Sequence, residues 1–181
     1  MKDINFYWFE AFNFTISAEI GNDWKNGGYT NNPLDPGGET KYGICKRAHP
    51  NEDIKNLTVD RAKEIYYKNY WLPSYSNDLV ALNFPLTAIC LFDTSINCGC
   101  KTAKILLQKA IGVEADGMIG KQTINGLKLY KDLDMCNRLL DRRKEYYDLI
   151  ITKNVKLGVF KKGWYNRISN LRKKLVELNK G

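Results

Sequence analysis

Glu19, Asp35 and Thr40 are the residues of this chain whose types and spacing suit acid–base chemistry. Glu19 closes the run FEAFNFTISAEIG. In the helix around it Ile4, Trp8, Ala11, Phe12, Thr15 and Ile16 fall on one face at helical spacing. Glu19 lies seven residues after Phe12 and three after Ile16, so the phase predicts a carboxylate aimed at the core. An apolar setting raises a carboxyl pKa toward the value a general acid needs. Asp35 instead sits in NNPLDPGGETKYGI, a turn where backbone N–H groups and water keep a carboxylate ionised. Thr40 follows five residues later, placed to help hold a water, and Gly37 and Gly38 let the backbone turn sharply. Two carboxyls in contrasting environments are a pattern that glycosidases use. Each also has a plain structural reading. Asp-Pro-Gly-Gly is a common surface turn stabilised by its own Asp, and a Glu near a helix end is commonly solvated.

These residues must be positioned by helices. Residues 3–20 read as the first, with Asp3 as a cap, and Phe6 and Phe14 off the main stripe imply burial on more than one side. Residues 21–44 hold most of the turn signals. Tyr29-Thr30 and Lys41 to Ile44 suggest short strands, a small β excursion rather than a sheet. LTVDRAKEIYYKNYW reads as a helix capped by Thr58 and stopped by Pro73, and Pro85 opens the next, FPLTAICLFDTSIN, ending before Gly99. KTAKILLQKAIG, KQTINGLKLY, LDMCNRLLDRRKEYYDLIITKN and WYNRISNLRKKLVELN are further helices. A soft boundary near Cys98-Gly99 divides the chain into residues 1–97 and 98–181, two halves expected to pack as one compact unit. The fold class expected is mainly α.

Composition narrows the chemistry. The five cysteines form no CxxC pair, and His49 is the single histidine, so no zinc-ligand spacing is present and no metal is expected. The thiols read as reduced, small hydrophobes. With His49 in the turn-like AHPNED, Asp, Glu, Lys or Tyr are better placed to serve as acid or base. A net charge of +8 favours polyanionic partners, but nothing resembles a nucleic-acid-binding signature. No apolar run reaches membrane-span length, so no stable membrane insertion is expected. The start MKDINFYWFEAF lacks the basic head and clean apolar core of a signal peptide. Synthesis in the cytoplasm is the expectation, with another factor delivering the chain to any target outside the membrane.

The run DPGGETKYGI, with an upstream helix ending in Glu, resembles glycoside hydrolase family 108, whose motif can be written E-G-G-Y-x-N-D-P-x-D-x-G-G-x-T-x-x-G-I. KRAHPNEDIKNLTVDRAKEIYYKNYW is similar to the family's next block. LFDTSINCGCKTAKILLQKAIGVEADGMIGKQTINGL and GVFKKGWYNRI are similar to the peptidoglycan-binding-like half that accompanies it. The resemblance implies a lysozyme-like fold and hydrolysis, without a cofactor, of the β-1,4 bond between N-acetylmuramic acid and N-acetylglucosamine in bacterial peptidoglycan. It implies action at the cell wall, as in an endolysin, after release through a holin-type pore or by an exporter.

The chain departs from the motif in one place. Asn26, not Glu, precedes Gly27-Gly28-Tyr29. In one alignment Glu19 takes the family's acid position and GNDWKN is an insertion, with Trp24 at the cleft rim. In the other, Asn26 replaces the acid, and an amide donates no proton. The helical phase favours the first. Asn32 stands where the family has a second acid; Asp35, Thr40 and Gly43 match directly. The resemblance then makes Glu19, Asp35 and Thr40 catalytic and Tyr29, Tyr42, Asp93 and Asn97 substrate-binding, Asp93 and Asn97 lying in the F-D-x-x-x-N segment on one helix face. For these last two a structural hydrogen-bond network is an equal alternative. LLQKAIGVEADGMIGKQT resembles peptidoglycan-binding modules, Thr123 included, or simply completes the fold, and Trp164 reads as core. Glu39 reads as an exposed turn residue. A non-catalytic peptidoglycan-binding protein and a lytic transglycosylase are the rival readings.

Overall fold

The computed structural model describes residues 3–21, 23–32 and 37–180. Eight α-helices and one two-stranded antiparallel ladder form the regular structure of these residues, so the chain has a mainly α, lysozyme-like fold. The chain divides into a smaller unit, residues 12–69, and a larger one made of residues up to Ala11 together with 70–181. The expected boundary near residue 97 therefore falls inside the larger unit. Helix α1 (Ile4–Ile20) contributes its first turns to the larger unit and the rest to the smaller. Asp3 caps it by accepting from the Phe6 N–H at 2.9 Å.

The smaller unit is built on the buried end of α1, where Phe12, Thr15, Ile16 and Ile20 face inward. Strands β1 (Thr40–Lys41) and β2 (Ile44–Cys45) pair antiparallel, Thr40 opposite Cys45 and Lys41 opposite Ile44. An isolated bridge ties Thr30 to Thr40. Lys41 to Ile44 is thus not one strand as the sequence suggested. Tyr42 and Gly43 form the two-residue turn, with φ of +51° and +72°. Positive φ at both central positions is what matches a tight turn to the twist of its strands. Helix α2 (Val59–Tyr66) starts where expected, Thr58 accepting from the Arg61 N–H at 3.2 Å. It runs into a π-helical turn, Tyr67–Trp71. Tyr66 and Phe12 meet edge-to-face, ring centres 5.9 Å apart, which closes this small core.

The larger unit adds α3 (Ser76–Ala81), α4 (Pro85–Cys98), α5 (Cys100–Ile111), α6 (Lys121–Leu127), α7 (Asp132–Lys153) and α8 (Lys161–Lys180). Helix α3 and the 3-10 segment Val155–Phe160 carry no periodicity strong enough to have been expected. Helix α4 is central: every residue from Leu86 to Ser95 is buried. Its apolar residues point to every side, as in a core helix, and the polar ones among them, Thr87, Asp93, Thr94 and Ser95, are hydrogen-bonded. Pro85 occupies its first turn, where the missing N–H costs nothing. The N–H groups of Leu86 and Thr87 instead donate to the Asp132 carboxylate, both at 2.8 Å. Trp8, Trp71 and Phe92 pack edge-on, ring centres 5.4–5.6 Å apart. All five cysteines are free thiols, Cys90 and Cys136 in the core. No described helix is long and apolar enough to cross a membrane.

Candidate functional site

Glu19 lies in the last turn of α1 with its side chain exposed, not core-facing as the phase had suggested. The buried positions of that turn are Ile16 and Ile20, one helical repeat apart, and Glu19 falls beside their stripe. Its aliphatic stem lies over the β-turn. A Cβ added at Gly43 would sit 3.2 Å from Glu19 Cγ and 3.4 Å from Glu19 Cβ. The carboxylate-bearing side chain and the hairpin turn are thus in contact within one unit.

The turn itself is held from below. Tyr66 is buried, and its hydroxyl donates to the Tyr42 carbonyl at 3.0 Å. The Tyr42 N–H donates to the Gly27 carbonyl at 2.7 Å. The Tyr42 ring covers Gly27 so closely that a Cβ there would come within 2.5 Å of it. Burial gives Tyr42 a structural task, locking the Gly27 segment to the hairpin, where the sequence reading had it facing substrate. Gly27 and Gly43 are therefore glycines for both reasons available to a glycine: left-handed φ and no room for a side chain.

Gly43→Ala is expected to destabilise the protein by about 1–3 kcal/mol, since alanine at φ +72° is strained. Its methyl group would also meet Tyr66 Oη at 2.7 Å and push on Glu19. Turnover per folded molecule should fall as well. Peptidoglycan clearing read alongside urea unfolding checks this; a variant unchanged in both would show the contact to be incidental.

Thr40 is half-buried on β1, and its hydroxyl reaches the Gly38 carbonyl at 3.4 Å. Asp35 lies outside the described residues, as do Pro33, Leu34 and Pro36. Tyr29 is half-buried, its hydroxyl donating to Glu39 Oε1 at 3.0 Å. That makes Glu39 a half-buried partner of Tyr29 rather than the exposed turn residue expected. Asn26 is exposed, its N–H donating to Asp23 Oδ1 at 3.3 Å. Trp24 is 42% exposed.

In the larger unit Asp93 is fully buried and both its carboxylate oxygens are taken. Arg143 Nη1 donates to Oδ2 at 2.6 Å and Arg167 Nη2 to Oδ1 at 2.7 Å. The structural alternative weighed for Asp93 is the one its surroundings support. Burial alone would push its carboxyl up, but the Arg167 and Arg143 charges outweigh it and hold Asp93 below its ordinary value. No sequence signal pointed to the arginines, which lie 50 and 74 residues away. Asn97 is half-buried and its amide donates to the Asp93 backbone carbonyl at 2.8 Å. Trp164 stacks on Tyr147 at 4.5 Å, half-buried rather than core.

The L-Q…D-G…T run spends its polar groups on itself. Gln108 Nε2 donates to Asp116 Oδ1 at 2.7 Å and to Thr123 Oγ1 at 3.2 Å, and Gln108 Oε1 accepts from the Gly117 N–H at 2.7 Å. Hydrogen bonds from Gln108 and the Met118 N–H hold the Asp116 carboxyl below its ordinary value. These motif residues build the loop joining α5 to α6. Among the described residues no group of three or more His, Cys, Asp or Glu side chains is placed to hold a metal ion.

Residues 24–99 match the family model Glycosyl hydrolase 108, and residues 102–169 match the model Predicted Peptidoglycan domain. The chain carries a glycosyl hydrolase 108 domain. This domain is a glycoside hydrolase of the N-acetylmuramidase type, and with the peptidoglycan domain after it the protein is a peptidoglycan hydrolase. The glycosyl hydrolase 108 match begins at Trp24, so Glu19 precedes it. None of the curated proteins compared with the chain matches it. Among solved structures, that titled Structure of Brucella abortus SagA is similar, with 28% sequence identity and a TM-score of 0.73 over 96% of this chain and 95% of that one.

Proposed function

We propose that the glycosyl hydrolase 108 domain cleaves the β-1,4 bond between N-acetylmuramic acid and N-acetylglucosamine with Glu19 as proton donor. The observation that carries the reading is the seat of Glu19: at the end of a helix, exposed to an incoming glycan, and braced on the Tyr42–Gly43 turn. In the reaction Glu19 gives its proton to the glycosidic oxygen as the bond from that oxygen to C1 breaks. Asp35, from its motif match, and Thr40 orient or activate the water that attacks C1, or steady positive charge on the sugar. The proton that this water loses restores the balance. Within the smaller unit Tyr29, half-buried beside Glu39, is the substrate-binding candidate that burial leaves available. Trp24, exposed before Gly27, offers a face for stacking on a sugar.

Functionally we assign residues 1–97 to cleavage and 98–181 to contact with the wall. The net charge of +8 favours an anionic wall, and a holin-type pore or an exporter delivers the enzyme to it. The rival chemistry is a lytic transglycosylase, in which the muramic 6-hydroxyl replaces water. Mass spectrometry of the muropeptides released from purified peptidoglycan separates the two. Reducing muramic acid ends are expected; 1,6-anhydro ends would overturn hydrolysis. Binding without any released product would favour a protein that only holds the wall.

A further inference from the structure

The smaller unit carries an open pocket of about 370 Å³ lined by Lys25, Asn26, Tyr29, Lys41, Lys55 and Asn56. Three ammonium groups around one concavity repel one another, and an anion placed among them relieves that repulsion. Lys41 is fixed in place: its Nζ donates to the Lys55 carbonyl at 3.0 Å and lies 5.7 Å from the Tyr42 ring centre. Two acids stand at the pocket wall, each accepting from a lining residue, and the three lysines outnumber them. Glu39 accepts from the Tyr29 hydroxyl at 3.0 Å, and Asp53 accepts from Asn56 N and Nδ2 at 3.3 and 2.9 Å. No ion pair among the described residues uses Lys25, Lys41 or Lys55.

The substrate supplies a suitable anion. The peptide stem joined to the lactyl group of muramic acid bears free carboxylates. Lys41 precedes by two residues the Gly43 turn on which Glu19 lies, at most about 7 Å away even were that chain extended. A stem peptide of a few residues spans more than that. We propose that this pocket binds the carboxylates of the stem peptide, so that the enzyme reads peptide-bearing glycan rather than bare glycan. The proposal rests on the muramidase reading for its substrate, not on which residue is the acid.

The test is a titration of the full chain, followed by amide NMR, with the synthetic stem L-Ala-γ-D-Glu-L-Lys-D-Ala. The same peptide with every carboxylate converted to carboxamide, and inorganic phosphate, serve as the other probes. The free-acid peptide should shift the Tyr29 and Lys41 amides, weakening as salt is raised. The carboxamide form, and the double variant Lys25→Gln/Lys55→Gln, should each bind about tenfold or more weakly. Both lysines are exposed, and an unchanged unfolding midpoint certifies the variant's fold. Equal binding of the carboxamide, no shift at Tyr29 and Lys41, or phosphate binding as tightly as the peptide would each overturn the proposal. Glu19→Gln should keep the peptide site, so loss of clearing with retained peptide binding separates the acid from the pocket. Clearing without peptide binding would remove the pocket and leave the hydrolase reading standing.

Discussion

Glu19→Gln is expected to lower turnover on peptidoglycan by about 10²–10⁴-fold, the range that a positioned general acid contributes. Glutamine keeps the length, the apolar stem and the carbonyl oxygen of the side chain, and puts a neutral amide, with no proton to transfer, where the acid stood. The contact with Gly43 is made by Glu19 Cβ and Cγ, which glutamine retains. The two residues have near-equal helix propensity, and position 19 is exposed, so the fold should be kept and turnover is read per folded molecule. The loss should therefore fall on kcat, with KM little changed. Undiminished clearing would remove Glu19 from the mechanism. Asn26 then becomes the position to examine, and Asn26→Glu, restoring the Glu-Gly-Gly-Tyr order, would be the variant to gain activity. With Glu19 as the acid, Asn26→Glu adds nothing to turnover.

Asp93→Ala should have the largest effect on stability. Arg143 is wholly buried, and Asp93 meets it at 2.6 Å and Arg167 at 2.7 Å. Removing one partner of a buried ion pair leaves an uncompensated charge and costs about 3–5 kcal/mol. For a chain of this size that is a drop in Tm of about 6–20 °C. The network has no acceptor to spare: Arg143 Nη2 finds none among the described residues. Thermal unfolding of the variant checks the value, and a shift within a degree or two would show that the arginines find other partners.

The same group sets part of the acid limb of stability. Because Asp93 is held below its ordinary value of 3.8, its contribution is present above that pH and is lost as pH falls through the lower folded value. Asp132 acts with the opposite sign. Burial pushes its carboxyl above 3.8 against the donors of Thr87 and Leu86. Its contribution is complete below 3.8 and declines as pH rises through the higher folded value. An Asp93→Asn variant should therefore lose the part of the acid destabilisation below about pH 4 that Asp93 supplies, while keeping the Asp132 change of opposite sign above it.

What the sequence by itself determined is local. The first helix and its Asp3 cap, the Thr58 cap of α2, Pro85 at the start of α4 and the glycines ending α4 and α5 were all legible. Each depends on atoms within about one helical turn, and backbone hydrogen bonding over that range is set by residue type. The family motif, too, is a contiguous run read directly from the chain.

Tertiary structure decided which way the chemistry-bearing side chains face and what they touch. Helical phase fixes the direction in which Glu19 leaves α1, but whether that direction is covered depends on segments folded over it, and here the turn at Gly43 braces the side chain without burying it. Periodicity read Lys41 to Ile44 as a strand, while the pairing of Thr40 with Cys45 forces Tyr42 and Gly43 into left-handed φ. Asp93 looked available beside Asn97 until two arginines from α7 and α8 closed on it. Gln108, Asp116 and Thr123 lie in the run that resembles peptidoglycan-binding modules, and the fold shows Gln108 donating to both of the others. In each case the deciding partner lies beyond one helical turn, from Cys45 opposite Thr40 to Arg167 on Asp93, and the energy of burying a charge or filling a turn is settled only when that partner arrives.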